Sequence, residues 1–181
     1  YGCFEQTSSS TYPNIIVLQY LREIEDKGNY ANALAKAEQL VEKGYSRLVQ
    51  YETKQNGYEW FGGTPAHESL TAYGVLEFTD MQKIYSKVNP QMLQRTTDFL
   101  LKRKDGKGGF LLDAKALDDF GRCSPEIANA YIVYSLSEAG IKNIEKEAET
   151  TYQQALAAND AYLLALTTLT HFNLKQDKKA Q

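Results

Sequence analysis

Apolar residues recur at three- and four-residue intervals from Ile15 to Ile24, Leu70 to Phe78, Met92 to Leu101 and Ile127 to Leu136, the spacing of a helix face. The pattern adds helices beginning near Tyr30 and Asn159, and one from about Ile144 to Leu156. All four prolines follow a residue that could begin a helix: Tyr12-Pro13, Thr64-Pro65, Asn89-Pro90 and Ser124-Pro125. Thr, Asn and Ser accept an orphaned backbone N–H, and the next position does not need the N–H that proline lacks. These pairs predict four helix starts. The Gly-bearing stretches "KGYSRL", "QNGYEWFGGT" and "KDGKGGF" are too short and broken for a sheet, so the fold class is all-α.

The helices fall into two kinds. "SLTAYGVLEF", "IANAYIVYSL" and "NDAYLLALTTL" are apolar on nearly every side and carry Ala-Tyr at 72–73, 130–131 and 161–162, a weak internal repeat. "ANALAKAEQLVEK" and "IEKEAETTYQQAL" are charged on one face and belong outside. Buried helices alternating with half-exposed ones predict an α/α barrel of inner and outer helices, or stacked helical repeats. The length suffices for only part of a closed ring. Parallel inner helices gather their N-termini at one end, so the loops holding Cys3, His67 and Asp118 are expected to meet there.

With 181 residues, 43% of them hydrophobic, the chain is read as one domain spanning 1–181. Its net charge is −3 with basic and acidic residues interspersed, which argues against nucleic acid as a partner. No apolar run approaches the ~20 residues of a membrane span, and no leader pattern opens the chain. Starting at Tyr1 without Met, it reads as an excerpt of a longer protein. The two His and two Cys stand singly, without metal-ligand spacing, and "GKGG" lacks the context of a phosphate loop, so no metal or cofactor is expected.

Cys3 stands three residues before Gln6. A thiol so placed can displace ammonia from the carboxamide and close a ring of about fifteen atoms, giving a thioester, a far stronger acylating group than an amide. Other readings of the same residues are a Cys3–Cys123 disulfide in a helical interaction module, and a Cys3 nucleophile with His67 as base in a transferase or hydrolase.

Gly2-Cys3-Phe4-Glu5-Gln6 resembles the Gly-Cys-Gly-Glu-Gln thioester motif of the alpha-2-macroglobulin and complement family. "YPNIIVLQYL", "VEKGYSRLVQYE", "GYEWFGG", "HESLTAYGVLEF" and "DGKGGF" resemble, in order, later segments of that family's thioester domain. The resemblance implies an α/α toroid, of which this chain would supply part. It also implies a single-use trap rather than an enzyme: an endopeptidase inhibitor whose Cys3–Gln6 thioester is shielded by neighbouring domains. Proteolysis elsewhere exposes the bond, and amines of the attacking protease or surface are acylated. The setting it implies is extracellular, periplasmic or cell-surface associated, with membrane contact only through regions outside this chain.

Two departures from the family pattern stand out. Phe4 replaces the middle glycine, and its bulk is expected to shield the thioester or pack the loop on its neighbour. Asp118 falls where some members carry a histidine that assists transfer to hydroxyls, so direct reaction with amines is expected. His67 and Asp118 are the candidates for an assisting role, and Gly2, Phe4 and Glu5 support the motif. Tyr1, Tyr12 and Trp60 are candidates to pack over it. Cys123 is expected to be a packed core thiol, and His171 a structural residue favoured by the negative end of its helix.

Overall fold

The computed structural model describes residues 2–24, 28–116 and 123–180. Seven helices of a dozen residues or more are described: α1 (Phe4–Glu23), α2 (Ala31–Leu48), α3 (Glu68–Ile84), α4 (Pro90–Lys102), α5 (Pro125–Glu138), α6 (Glu145–Ala158) and α7 (Ala161–Asn173). A short α8 (Asp177–Ala180) follows, and a 3-10 turn, Val49–Tyr51, ends α2. The described residues contain no strand, only the isolated bridges Glu52–Tyr58 and Lys104–Phe110.

The order of packing is that of an α/α toroid. Helices α1, α3, α5 and α7 lie side by side as a row, and α2, α4 and α6 pack outside it. Burial follows this division. In α2 a single stripe, Ala37, Val41, Gly44 and Leu48, is buried, the one-faced pattern of an outer helix. In α3, Leu70, Thr71, Ala72, Gly74, Val75, Phe78 and Met81 are buried on all sides, and α5 is similar. The α1–α2 contact is close: a Cβ on Gly44 would stand 2.1 Å from Thr11 Oγ1, so only glycine lets α2 approach there. Helix α7 meets the expectation on one side only. Leu163, Leu166 and Thr170 are buried, whereas Tyr162, Leu169 and Phe172 are exposed at the edge of the row. Ile16, Val17 and Tyr20 of α1 are exposed at the other edge.

Two of the four proline-marked starts hold. Asn89 and Ser124 cap α4 and α5 with their side-chain oxygens, and proline follows each. Pro13 instead lies inside α1, because the helix has already begun at Cys3. Pro13 and Ser9 are both exposed, so the Ser9 carbonyl that loses its helical donor faces water. Thr64-Pro65 is a cis peptide in the loop before α3, which starts three residues later at His67. That loop is folded by buried Glu59, whose Oε2 accepts from the N–H groups of Phe61 and Gly63, each at 2.8 Å.

The two Gly-rich loops are built alike. Thr53 N–H donates to Gly57 O (2.8 Å), and Asp105 N–H donates to Gly109 O (3.0 Å). Each loop is then pinned to the next inner helix. Tyr58 N–H donates to Thr71 Oγ1 of α3 (2.8 Å), and Phe110 N–H to Asn129 Oδ1 of α5 (3.1 Å). The repeat seen weakly in sequence is thus a helix pair plus a pinned loop.

Phe4 lies at the bottom of the first loop's cluster. It is fully buried, with ring centroids 5.1 Å from Tyr58, 6.0 Å from Tyr51 and 6.2 Å from Tyr73. It packs inward beneath the motif, so the expected outward shield is not what this side chain forms. Phe4→Ala is expected to cost about 3–5 kcal/mol, the range for emptying a buried phenylalanine site, read as a lowered denaturant midpoint at unchanged slope.

A buried carboxyl joins α3 to α1. Glu77 is fully buried, neither of its oxygens has a hydrogen-bond partner among the described residues, and the Ser8 hydroxyl of α1 faces it. Burial pushes this carboxyl from 4.5 up to about 7, with Ser8 offsetting part of the rise. Between those values the folded chain keeps a proton that the unfolded chain has lost. Stability is therefore fully present below pH 4.5, falls as pH rises towards 7, and levels off above. The loss amounts to about 3 kcal/mol at most. Urea titrations from pH 4 to 8 are expected to show this fall in the wild type minus Glu77→Gln difference; a flat difference would contradict it.

Candidate functional site at the start of the first helix

Helix α1 begins with a reciprocal pair of contacts. Cys3 is the N-cap, extended at φ −86° and ψ −179°, and Gln6 is the third residue of the helix. The Cys3 sulfur faces the Gln6 backbone N–H, while Gln6 Oε1 turns back to accept from the Cys3 N–H at 3.2 Å. This is a capping box with cysteine in place of the usual serine or threonine. It gathers the thiol and the carboxamide at the same helix start, each side chain turned to the other residue's backbone N–H. A Cβ on Gly2 would lie 2.9 Å from Gln6 Oε1, so glycine is the residue that lets Gln6 fold back. Cys3 is buried at 8% exposure and carries no disulfide, which removes the Cys3–Cys123 bridge. Gln6 is exposed.

Four neighbours hold the peptide groups around Cys3. Phe4 N–H donates to Trp60 O at 2.8 Å, docking the helix start onto the first Gly-rich loop. Thr7 Oγ1 donates to Cys3 O at 2.9 Å. Tyr51 O–H donates to Gly2 O at 2.6 Å, and Arg47 reaches both groups, through Nε to the Tyr51 oxygen (3.2 Å) and through its terminal nitrogen to Gly2 O (3.5 Å). Sequence reasoning did not single out Arg47 and Tyr51. Their only signal was the four-residue spacing at the end of "VEKGYSRLVQYE", which places both on one side of a helix end.

On the other side of the motif lies a cavity of about 280 Å³ lined by Glu5, Trp60, His67, Tyr73, Asp113 and Cys123, among others. The starts of α1, α3 and α5 do converge at one end. Tyr73 and Tyr131, the tyrosines of two Ala-Tyr repeats, both line this cavity from adjacent inner helices. Burial raises both phenols, Tyr73 to about 12. Glu5 Oε2 accepts from Trp60 Nε1 at 3.3 Å, so Glu5 braces the loop. Beneath the cavity, buried Glu68 pairs with Arg103 at 2.7 Å and accepts the Asp113 N–H at 3.1 Å. Among the described residues, no three His, Cys, Asp or Glu side chains are grouped to hold a metal.

Other sequence-predicted residues fall as follows. His67 lines the cavity, accepts the Leu70 N–H through Nδ1 at 3.2 Å as the α3 cap, and stands edge-on to Trp60 at 4.7 Å. Trp60 does meet the motif, through its indole N–H to Glu5. Tyr12 does not pack over it; its hydroxyl donates to Asp80 at 2.6 Å. Tyr1 and Asp118 lie outside the described residues. Cys123 is exposed, contrary to the packed-core expectation, because it sits in the extended segment ahead of the Ser124 cap and faces the cavity. His171 is buried, bonded through Nδ1 to Gln176 Oε1 at 2.9 Å and edge-on to Tyr152. Its pKa is lowered because burial disfavours the cation, which outweighs the opposing pull of the Gln176 hydrogen bond.

Residues 1–177 match the family described as the A-macroglobulin TED domain. The alpha-2-macroglobulin of Thermotoga maritima is 26% identical over 113 residues, 62% of this chain and 7% of that protein. Thioester-containing protein 1 (allele R1) of Anopheles gambiae is 28% identical over 109 residues, 60% of this chain and 8% of that protein. The chain thus spans less than a tenth of the length of these relatives. Among solved structures, the native conformation of Escherichia coli alpha-2-macroglobulin aligns with a TM-score of 0.73 at 20% identity, over 99% of this chain and 11% of that one, and supports the same fold. By its helix order, its capped Cys3–Gln6 pair and the match over nearly its whole length, the chain belongs to the A-macroglobulin TED domain family.

Proposed function

We propose that Cys3 and Gln6 form an internal thioester and that the chain is the reactive part of an alpha-2-macroglobulin-like protease inhibitor. The observation that carries this reading is the capping box, which holds a buried sulfur and a returning glutamine side chain at one helix start. Attack of the Cys3 thiol on the Gln6 carboxamide forms the C–S bond and expels ammonia. Attack by an amine on the same carbon later breaks that bond, leaving an amide on Gln6 and a thiol on Cys3. Each thioester reacts once, so the protein is a trap rather than a turnover enzyme.

The timing of that event belongs to other parts of a longer protein. Neighbouring domains shield the bond until a protease cuts a bait segment, and lysine amines of that protease or of a nearby surface are then captured. With Asp118 at the position of the assisting histidine, amines react directly and are preferred to hydroxyls. Exposed apolar side chains on α1 and α7 support the reading that the chain is only part of a ring completed by further helices. An extracellular, periplasmic or cell-surface setting follows from the same reading.

The uncleaved full-length protein is expected to be lighter than its sequence mass by one ammonia and to take up one methylamine at Gln6 while one thiol appears at Cys3. An unchanged mass together with no uptake would overturn the thioester. Gln6→Ala separates this reading from a cysteine enzyme: the trap loses its acyl carbon and all capture, whereas an enzyme with Cys3 as nucleophile keeps its turnover.

A further inference from the structure

We propose that the peptide joining Gly2 to Cys3 stabilises the oxyanion during acyl transfer at Gln6, and that Arg47 and Tyr51 are positioning residues that polarise it. This rests on the thioester reading above. When sulfur replaces the amide nitrogen of Gln6, Oε1 stays behind as the carbonyl oxygen. That oxygen accepts the Cys3 N–H at 3.2 Å. The helix-capping donor is therefore also the donor aimed at the atom on which negative charge develops.

The other end of the same peptide is loaded with donors. Gly2 O receives the Tyr51 hydroxyl at 2.6 Å and lies 3.5 Å from the Arg47 guanidinium. Arg47 Nε donates to the Tyr51 oxygen at 3.2 Å; Thr7 Oγ1 also lies 3.3 Å from that oxygen but donates to Cys3 O, and the phenol proton goes to Gly2 O, the shortest of these contacts. Drawing electron density onto a peptide oxygen makes its N–H a stronger donor, and chained hydrogen bonds reinforce one another where water is scarce. Tyr51 and Cys3 are buried, at 9% and 8% exposure, while Gly2 and Arg47 are half-buried at the surface, so the shielded part of the chain is its Tyr51 side.

The step balances as follows. The amine lone pair attacks Gln6 Cδ, and the carbonyl electron pair moves to Oε1, facing the Cys3 N–H. As the pair returns, the C–S bond breaks and its electrons leave on the Cys3 sulfur. The ammonium proton passes to solvent and the thiolate gains one, leaving an amide and a thiol.

The test uses the full-length protein and two readouts: the fraction of intact thioester, by mass, and the second-order rate constant with methylamine per intact thioester. Tyr51→Phe and Arg47→Gln are each expected to lower that rate constant about ten-fold, less than the loss of a direct oxyanion donor because both act through the peptide. Arg47→Lys, which keeps the charge, is expected to recover part of the rate. A role confined to holding the loop lowers the intact fraction and leaves the per-thioester rate unchanged or faster; that result in both variants overturns the proposal. If neither variant forms the bond, site-specific fluorotyrosine at position 51 carries the test. A sharper donor there is expected to raise the per-thioester rate, and an equal or slower rate overturns the proposal. Absence of a thioester in the wild type would instead sink the functional reading and is seen first.

Discussion

Everything at the reactive end depends on how a helix deals with its first N–H groups. Those donors have no partner within the helix, and side chains at the N-cap and third positions are placed to supply one. In α1 the two residues that do so are Cys3 and Gln6. A regular helix start therefore sets the Cys3 side chain and the Gln6 carboxamide at one place, through contacts each makes with the other's backbone N–H. Gly2 beside them leaves room for Gln6 to fold back, since a Cβ there would stand 2.9 Å from Gln6 Oε1 and push that side chain aside. The local backbone chemistry thus brings two ordinary residues within reach of each other before any tertiary contact is counted.

Tertiary contacts then hold that start still. From below, Phe4 is fixed among Tyr51, Tyr58 and Tyr73, with Gly74 leaving room for its ring, a Cβ there standing 3.3 Å from Phe4 Cζ. From the side, Trp60 O takes the Phe4 N–H and the indole meets Glu5. From the end of α2 and the 3-10 turn that follows it, Arg47 and Tyr51 hold the Gly2 carbonyl. Of these neighbours, Tyr58 and Trp60 lie on the loop that Thr71 pins to α3. The repeated pinning at Thr71 and Asn129 makes the loop end of the row a rigid platform. A bulky residue where relatives of the motif carry glycine is tolerated because it points into this platform.

The helical content was legible because 3.6-residue spacing survives in sequence, and Cys3–Gln6 was legible because the pair is local. What failed did so for physical reasons. Pro13 was read as a helix start, yet a proline on a solvent-facing turn costs only one exposed carbonyl, and the true start was already written as Cys-x-x-Gln, a capping box in thiol form. Thr64-Pro65 looked like a cap, but the loop needed those residues to turn around Glu59, and His67 took the capping role. Cys123 was taken for a core thiol on its residue type, which says nothing about a segment that ends before its helix begins. Arg47 and Tyr51 lie more than forty positions from Gly2, so only the packing of α2 on α1 shows what they hold.

The uneven burial of the pair bears on how such a bond would behave. Cys3 is buried, while Gln6 is exposed. In the proposed thioester, with Cys3 as leaving group and Gln6 as acyl donor, an incoming amine would reach carbon from the solvent side and sulfur would depart towards the protein. The positive end of α1 would favour charge on the acyl oxygen, so the first turn would assist addition. Restraint on the proposed reaction would then come from whatever covers the Gln6 side, on an exposed face rather than in the buried chemistry.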